Sequence, residues 1–369
     1  MENKQTKFHQ QQVALVAGAT GFVGRFLIAE LLKRGHHVFA LLRNPIQQQA
    51  ILEQWLSLKQ VSIQRLSFIQ GDVTQPKLGI SEQDWEKLSS VNTLYNSSAL
   101  FAWNLSMQQA RAVNVDGALN LLRCVVQHCD LQRAVHVSGY MLTILSHLQQ
   151  AGVCLEQPDR TNWSAVYQQL GAYEASKIEA HFAWIQQAEH LAIDWTIIHP
   201  ATVCGDAVSG EIPNNQPIAQ MIDLLKRRKM SAIPATPQHY LPLVRVDDLC
   251  QVMAQAATDI NLSNQALLVA AEQKIPLSQL TQIIAQQLHV SAPRQHVPIG
   301  ILKLILKWQW LADQLEMSAE MLSFLRTEQL ELEPLKQFKQ RWNMQTGDLK
   351  MAIAKTADWI NQTAPSSIV

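Results

Sequence analysis

The stretch Val13-Ala14-Leu15-Val16-Ala17-Gly18-Ala19-Thr20-Gly21-Phe22-Val23-Gly24 decides the fold. Five apolar residues run into a glycine and read as a short buried strand. From Gly24 to Arg34, Phe26, Leu27, Leu31 and Leu32 recur at helical spacing, and Gly35 marks the stop. His37 to Leu42 reads as a second buried strand, which completes a βαβ unit. Each glycine between strand and helix answers a physical need. One permits the tight turn, one lets backbone N–H groups approach a pyrophosphate, and one lets helix and strand pack closely. The helix N-terminus then faces the phosphates. Gly18, Thr20, Gly21, Phe22, Val23 and Gly24 are therefore the candidate dinucleotide cradle.

The alternation continues along the chain. Val61 to Ile69, Val91 to Tyr95, Ala134 to Val137 and Trp195 to Ile198 read as strands, and Met107 to Cys129 and Tyr173 to Glu189 as helices. Apolar strands alternating with helices predict an α/β fold, a Rossmann doubly wound parallel sheet with a smaller, mostly helical C-terminal lobe. The expected division is a flexible tail over 1–12 and a dinucleotide-binding domain over 13–205, completed by about 241–272. Segments 206–240 and 273–369 are expected to form the substrate lobe.

With 30 Lys+Arg against 30 Asp+Glu among 369 residues, the formal net charge is zero, and no pull toward nucleic acid follows. The five cysteines form no disulfide framework, and the first twelve residues hold no apolar signal segment. Both point to a cytoplasmic protein. No apolar run is long enough to span a bilayer. Residues 297–311, interrupted by Lys303 and Lys307, read as a helix of the second lobe or as a surface that meets a membrane or an acyl chain. Lys226-Arg227-Arg228-Lys229 reads as a solvated helix end. Cys124, His128 and Cys129 share one helix without a second ligand pair, so no metal site is expected.

The end of the second strand selects the cofactor. A carboxylate there accepts from the NAD ribose, whereas Arg replaces it for the NADP 2′-phosphate. Here the residues are Leu41-Leu42-Arg43-Asn44, so Arg43 favours NADPH/NADP. Of five tyrosines, only Tyr173 has a lysine four residues on, Lys177. That spacing puts both on one helix face. An ammonium beside a phenol is expected to lower its pKa and make Tyr173 a usable general acid-base. The pair follows a strand that runs into Ser138.

With these residues in view, the chain resembles an extended short-chain dehydrogenase/reductase over roughly residues 13 to 270. The resemblance rests on the glycine turn, Gly71-Asp72, Asn114-Val115-Asp116-Gly117, Ser138, Tyr173-x-x-x-Lys177 and His199-Pro200. Gly71 to Ser81, Ala99-Leu100-Phe101-Ala102-Trp103 and Leu241 to Asp248 resemble its thioester reductase / fatty acyl-CoA reductase branch, the male-sterility type. The resemblance implies that Asp72 and Val73 flank the adenine, and that Asn114 holds a relay water and a helix bend. It further implies that Ser138 binds the substrate carbonyl, that Lys177 also binds the nicotinamide ribose, and that the backbone after Pro200, to Val203, meets the nicotinamide. Phe101, Trp103 and Tyr140 are the implied substrate contacts. The branch usually carries a second hydroxyl after the fifth strand, where this chain has Gly139. The hydroxyl then comes from Ser138, from Tyr140 or from neither. The branch also tends to have His-Asn after the fourth strand, where Asn96-Ser97 stands here.

The implied activity is NADPH-dependent reduction of an acyl thioester, on CoA or an acyl-carrier protein, to an aldehyde or alcohol. The alternatives are a ketone/alcohol dehydrogenase acting on a steroid- or flavonoid-like carbonyl, and a non-catalytic NADP-binding regulatory protein.

Overall fold

A computed structural model describes residues 11–101, 105–305, 322 and 324–363. Its backbone forms a seven-stranded sheet from β1 (Val13–Ala17), β2 (His37–Leu42), β3 (Leu66–Gln70), β4 (Thr93–Asn96), β5 (Arg133–Val137), β6 (Trp195–Pro200) and a late strand, Gln265–Val269. From one edge the order is the late strand, β6, β5, β4, β1, β2, β3. The pairings β1·β2, β1·β4, β2·β3, β4·β5 and β5·β6 are all parallel. Every strand is apolar because both faces are covered. Leu15, Leu94, Ala134 and Ile197 are fully buried in one core that also takes Trp184 and Leu121 from the covering helices.

The winding reverses between β1 and β4, and ligands of open α/β sheets bind at the carboxyl ends of the strands at such a point. The sequence motifs lie there. Gly18 follows β1, Arg43 follows β2, Gly71-Asp72 follows β3, Ser97 follows β4 and Ser138 follows β5.

Three elements differ from the sequence reading. The third strand begins at Leu66 instead of Val61, because Val61 N–H caps the preceding helix on Leu56 and Leu66 N–H closes a turn on Ile63. The fourth is Thr93–Asn96, two residues later at its start. The long helix expected over Met107 to Cys129 is interrupted. Met107–Arg111, opened by a Ser106/Gln109 capping box, passes into a π-turn over Ala112–Gly117 and then into Ala118–His128. Before β1, the Gln12 side chain is buried and accepts from the Tyr95 hydroxyl at 3.0 Å.

The backbone divides into two compact units, residues 1–199 with 250–267, and 200–249 with 268–369. In the second unit, β7 (Thr202–Cys204) pairs in parallel with Leu243–Arg245. Helices Pro217–Lys226, Leu277–Gln287 and Leu349–Gln362 supply its apolar packing. The basic run ends the first of these helices. Lys226 Nζ donates to the carbonyls of Ile360 and Asn361, and Arg227 pairs with Asp223. Of the apolar segment 297–311, the helix Ile299–Ile305 has Ile301 half exposed and Leu302 buried, and residues 306–311 lie outside the described residues. Among the described residues no helix is long and apolar enough to cross a membrane.

Candidate active site

The glycine turn has the geometry a pyrophosphate cradle needs. Gly18 has φ +79°, and a Cβ there would sit 2.7 Å from the backbone of Ser97 and Ser98, beyond β4. A Cβ on Gly24 would overlap the Gly18 carbonyl oxygen. Two close approaches thus exclude side chains, and the helix Phe22–Lys33 opens directly on the turn. Thr20 and Gly21 are exposed and Phe22 and Val23 are partly exposed, so the turn presents its edge to a ligand. These residues fit a dinucleotide. Arg43 is exposed at the end of β2, just before the helix Pro45–Leu58.

The remaining cofactor candidates are more committed. Asp72 accepts from the Thr74 amide and hydroxyl at 2.9 and 2.8 Å. Val73 is buried in the core, 2.9 Å from where a Gly117 Cβ would stand. Pro200 ends β6, and Val203 pairs with Val244 in the second unit.

Tyr173 and Lys177 lie on the helix Ala172–His190. Lys177 Nζ reaches across to the sheet and donates to the Val137 carbonyl at 2.5 Å. Burial pushes the Lys177 ammonium down to about 8. The phenol behaves differently from the sequence expectation. Burial, followed by the neighbouring Glu174 carboxylate, pushes Tyr173 up to about 12, and the lysine does not offset this. Shared helical spacing brought the two side chains to one face, but the ammonium turns toward the end of β5 instead of the phenol. Tyr173 is therefore a protonated phenol across the neutral range.

Ser138 follows Val137. Its amide bonds Ile198 O, and its hydroxyl is buried with no hydrogen-bond partner among the described residues. Phe101 packs edge-on to Tyr173 with ring centroids 4.6 Å apart. Tyr140 is buried in the short turn Tyr140–Thr143, and Trp103 lies outside the described residues. Gly139 is extended, with φ −151° and ψ 149°, and a Cβ there would meet nothing within 4 Å. Gly139→Ser is thus expected to hold or raise stability, by about 0.4–1 kcal/mol, through a narrower unfolded ensemble. A chemical-denaturation midpoint below that of the parent chain would show the position to be closed to a hydroxyl.

Asn114 is in the π-turn and its amide is well used. Its Oδ1 accepts from Leu100 N–H at 2.7 Å, and its Nδ2 donates to the Ser176 hydroxyl at 2.9 Å and to Leu100 O at 3.3 Å. Ser176 in turn donates to the Tyr173 carbonyl. This chain ties the helix irregularity to the helix that carries Tyr173.

The structure adds residues that motif reading passed over. His147 bonds the buried Glu174 carboxylate at 2.5 Å, next to Tyr173. His136, His181 and His199 gather behind Lys177. The spacing of Lys177 and His181, four residues apart, was the available signal.

A parallel sheet with a glycine turn at its reversal and a Tyr/Lys helix beside the fifth strand is a Rossmann-type α/β fold suited to hold a dinucleotide. Within that class, the sequence pattern of the family described as male sterility protein matches residues 16–253, and the chain belongs to that family. A linear gramicidin synthase polypeptide of Brevibacillus parabrevis is 26% identical over 234 residues, 60% of this chain and 4% of that protein. Fatty acyl-CoA reductase 1 of Mus musculus is 29% identical over 147 residues, 36% of this chain and 28% of that protein. The chain thus spans a small part of the length of these relatives. The terminal R domain from the myxalamid PKS-NRPS biosynthetic pathway shares the fold, with a TM-score of 0.73 at 17% identity over 95% of this chain and 91% of that one.

Proposed function

We propose that this chain is an NADPH-dependent reductase of acyl thioesters, carried on CoA or on an acyl-carrier protein, and that it releases an aldehyde. One observation carries the reading: the unpartnered Ser138 hydroxyl stands one residue beyond the carbonyl that Lys177 grips, and Lys177 shares its helix with Tyr173, a protonated phenol. Bound NADPH would supply the hydride. The chain's own groups do the rest. Ser138 donates to the carbonyl oxygen as negative charge grows there. Tyr173 gives that oxygen its proton. The neutral hemithioacetal then expels the thiol and leaves the aldehyde. Phe101 holds the phenol's orientation through its edge contact.

The family membership and the relative named as a fatty acyl-CoA reductase support the thioester as substrate. The test is a panel of acyl-CoAs and ketones, read by NADPH absorbance and free thiol together. Thiol release matched to NADPH loss is the expected result. NADPH oxidation by ketones alone would replace this reading with a carbonyl dehydrogenase, and dinucleotide binding without turnover would replace it with a sensor.

Arg43 is the proposed 2′-phosphate contact, a guanidinium that pairs bidentately with a phosphate. Arg43→Ala is expected to weaken NADPH at least tenfold, on the order of 1.5–3 kcal/mol for a charge-assisted bond, and NADH by less than twofold. Equal losses in titration calorimetry would remove Arg43 from the site.

A further inference from the structure

The helix Ala172–His190 opens with two buried carboxylates that the proposed mechanism leaves unused, Glu174 and Glu179. Each is held by groups from other elements. Glu179 accepts from Arg111 Nε at 2.9 Å through one oxygen and from the Tyr167 hydroxyl at 2.9 Å through the other. Glu174 meets His147 Nε2 at 2.5 Å. His147 stands on the short helix Leu145–Gln150, which leaves β5 through Ser138 and the turn Tyr140–Thr143. Its neighbours fix its place. Leu148 is buried in a cluster with Leu142, Val166, Ala172 and Ala175, and Gln169 Nε2 donates to the Gln150 carbonyl.

Glu174 directly follows Tyr173 and is the one charge among the described residues that acts on its phenol. The other ionisable groups packed on this helix are engaged elsewhere. Leu145–Gln150 has no second titratable side chain, and the turn before it has Tyr140. The helix Trp163–Leu170 brings Tyr167, bonded to Glu179. Met107–Arg111 and the π-turn bring Arg111 and the exposed Asp116, 4.0 Å apart. Ala118–His128 brings Arg123 and His128, and the loop 151–162 brings Glu156, Arg160 and Asp159, the last bonded to Gln186. From the sheet and further along the helix, His136, His199 and His181 feel Lys177, which itself turns to the Val137 carbonyl.

A carboxylate oxygen can only accept, so His147 Nε2 carries the proton between the two side chains. The second ring nitrogen, Nδ1, then decides how much of the carboxylate charge is cancelled. A neutral ring bonds the carboxylate and leaves its charge standing. A ring that is also protonated at Nδ1 cancels most of it, and the partly exposed ring is open to that proton. The charge matters at one moment. When Tyr173 passes its proton to the substrate oxygen, a phenolate forms beside Glu174, and two like charges in a buried site oppose each other. An uncancelled Glu174 makes the phenol a weaker acid, and a cancelled one makes it a stronger acid.

We propose that Glu174 and His147 form a charge pair that sets how readily Tyr173 gives up its proton, with the protonation of His147 as the variable. Both are positioning residues that act through the phenol. Glu174 keeps the acid protonated between turnovers, and His147, when charged, lifts the penalty that Glu174 places on the phenolate. Reduction is therefore faster with His147 charged than with it neutral. The proposal rests on the acid role of Tyr173 proposed above but not on the thioester.

The test compares Glu174→Gln, whose amide oxygen can still accept from His147, with His147→Gln, whose amide can still donate to Glu174 but never carries a charge. Turnover is followed from pH 7.5 to 5.5 on whichever carbonyl compound the full chain reduces, acyl-CoA or free aldehyde. The Lys177 limb, at about 8, is common to all three proteins. Parental kcat is expected to rise about threefold across this range, in which imidazoles take up charge, as one unit of phenol acidity at a Brønsted slope near one half gives. His147→Gln should lose the rise and lie about threefold below the parent at pH 5.5. Glu174→Gln should lose it as well, but lie at or above the parent's highest value throughout. KM should stay within about twofold in both. Two folded variants that lower kcat by one common factor at every pH mark the pair as a structural tie and overturn the proposal. A chain that reduces aldehydes but not acyl-CoA refutes the thioester reading and leaves this assay intact. Independently of turnover, phenolate absorbance at pH 10.5 is measured as the difference from Tyr173→Phe, with circular dichroism reporting the fold. It should be several-fold greater in Glu174→Gln than in the parent, and equal absorbance overturns the proposal whether or not Tyr173 proves to be the acid.

Discussion

Tyr173→Phe is expected to lower kcat by about 10²–10⁴-fold, the range for removing a general acid, while NADPH affinity stays within about twofold. The substitution removes one oxygen and leaves the ring. The edge contact with Phe101 at 4.6 Å persists, so the helix and its tie to the π-turn through Ser176 and Asn114 are undisturbed. The cradle at Gly18 to Gly24 lies on other elements and needs nothing from the phenol. The loss should therefore fall on the chemical step. The measurement is steady-state kcat beside a fluorescence titration of NADPH. Unchanged kcat would mean that another group protonates the substrate oxygen. The pH profile adds a second discriminator. A phenol pushed to about 12 stays protonated through neutrality, so the alkaline limb should reflect Lys177, at about 8, and not Tyr173.

How far these outcomes were legible in the sequence depends on whether a feature is local. The glycine turn is local, and its three close-packed positions follow from one strand-turn-helix read in order. The pair Tyr173 and Lys177 is local too, and helical spacing placed both on one helix. What spacing does not carry is the direction in which a long flexible side chain finally points. Lys177 found a carbonyl on β5, forty residues back in the chain, and the expected depression of the phenol became an elevation. Periodicity alone misses the π-turn for a related reason, although the family resemblance implies a helix bend at Asn114. Ala112 to Gly117 looks helical residue by residue, and its extra residue per turn comes with Asn114 bonding Leu100 and Gly117 fitting against Val73. The histidine cluster is less local still. His136 and His199 become neighbours only through the parallel register that sets Val137 beside Ile198, and His181 joins them only when its helix lies on the sheet.

That cluster should also leave a mark on stability. A histidine whose folded pKa lies below its unfolded value of 6.5 binds fewer protons folded than unfolded in the window between the two. Stability is therefore intact above 6.5 and falls as pH drops through that window toward the folded pKa. For His181 and His199, at about 4 and about 3, the window opens near 6.5 and extends to those values. By pH 5 each neutral ring costs roughly 2 kcal/mol relative to neutral pH, at 1.36 kcal/mol per unit. His181 and His199 together reach about 4 kcal/mol, and His136, displaced in the same direction, adds to that slope, against about 5–15 kcal/mol that holds a domain folded. Lys177 adds no slope there, because at about 8 when folded and higher when unfolded it is protonated in both states. Most carboxylates titrate below pH 5, so the window is largely free of them. His36 and His239 are lowered by burial as well, and they set a background that a single variant separates. The expected result is a melting temperature that falls steeply between pH 6.5 and 5 in the parent chain, and a shallower fall in His181→Phe, which has one fewer ring to charge. Parallel slopes in the two proteins would mean that His181 is solvated in the fold. Its ring would then stand in bulk water and not against His199 in the field of Lys177.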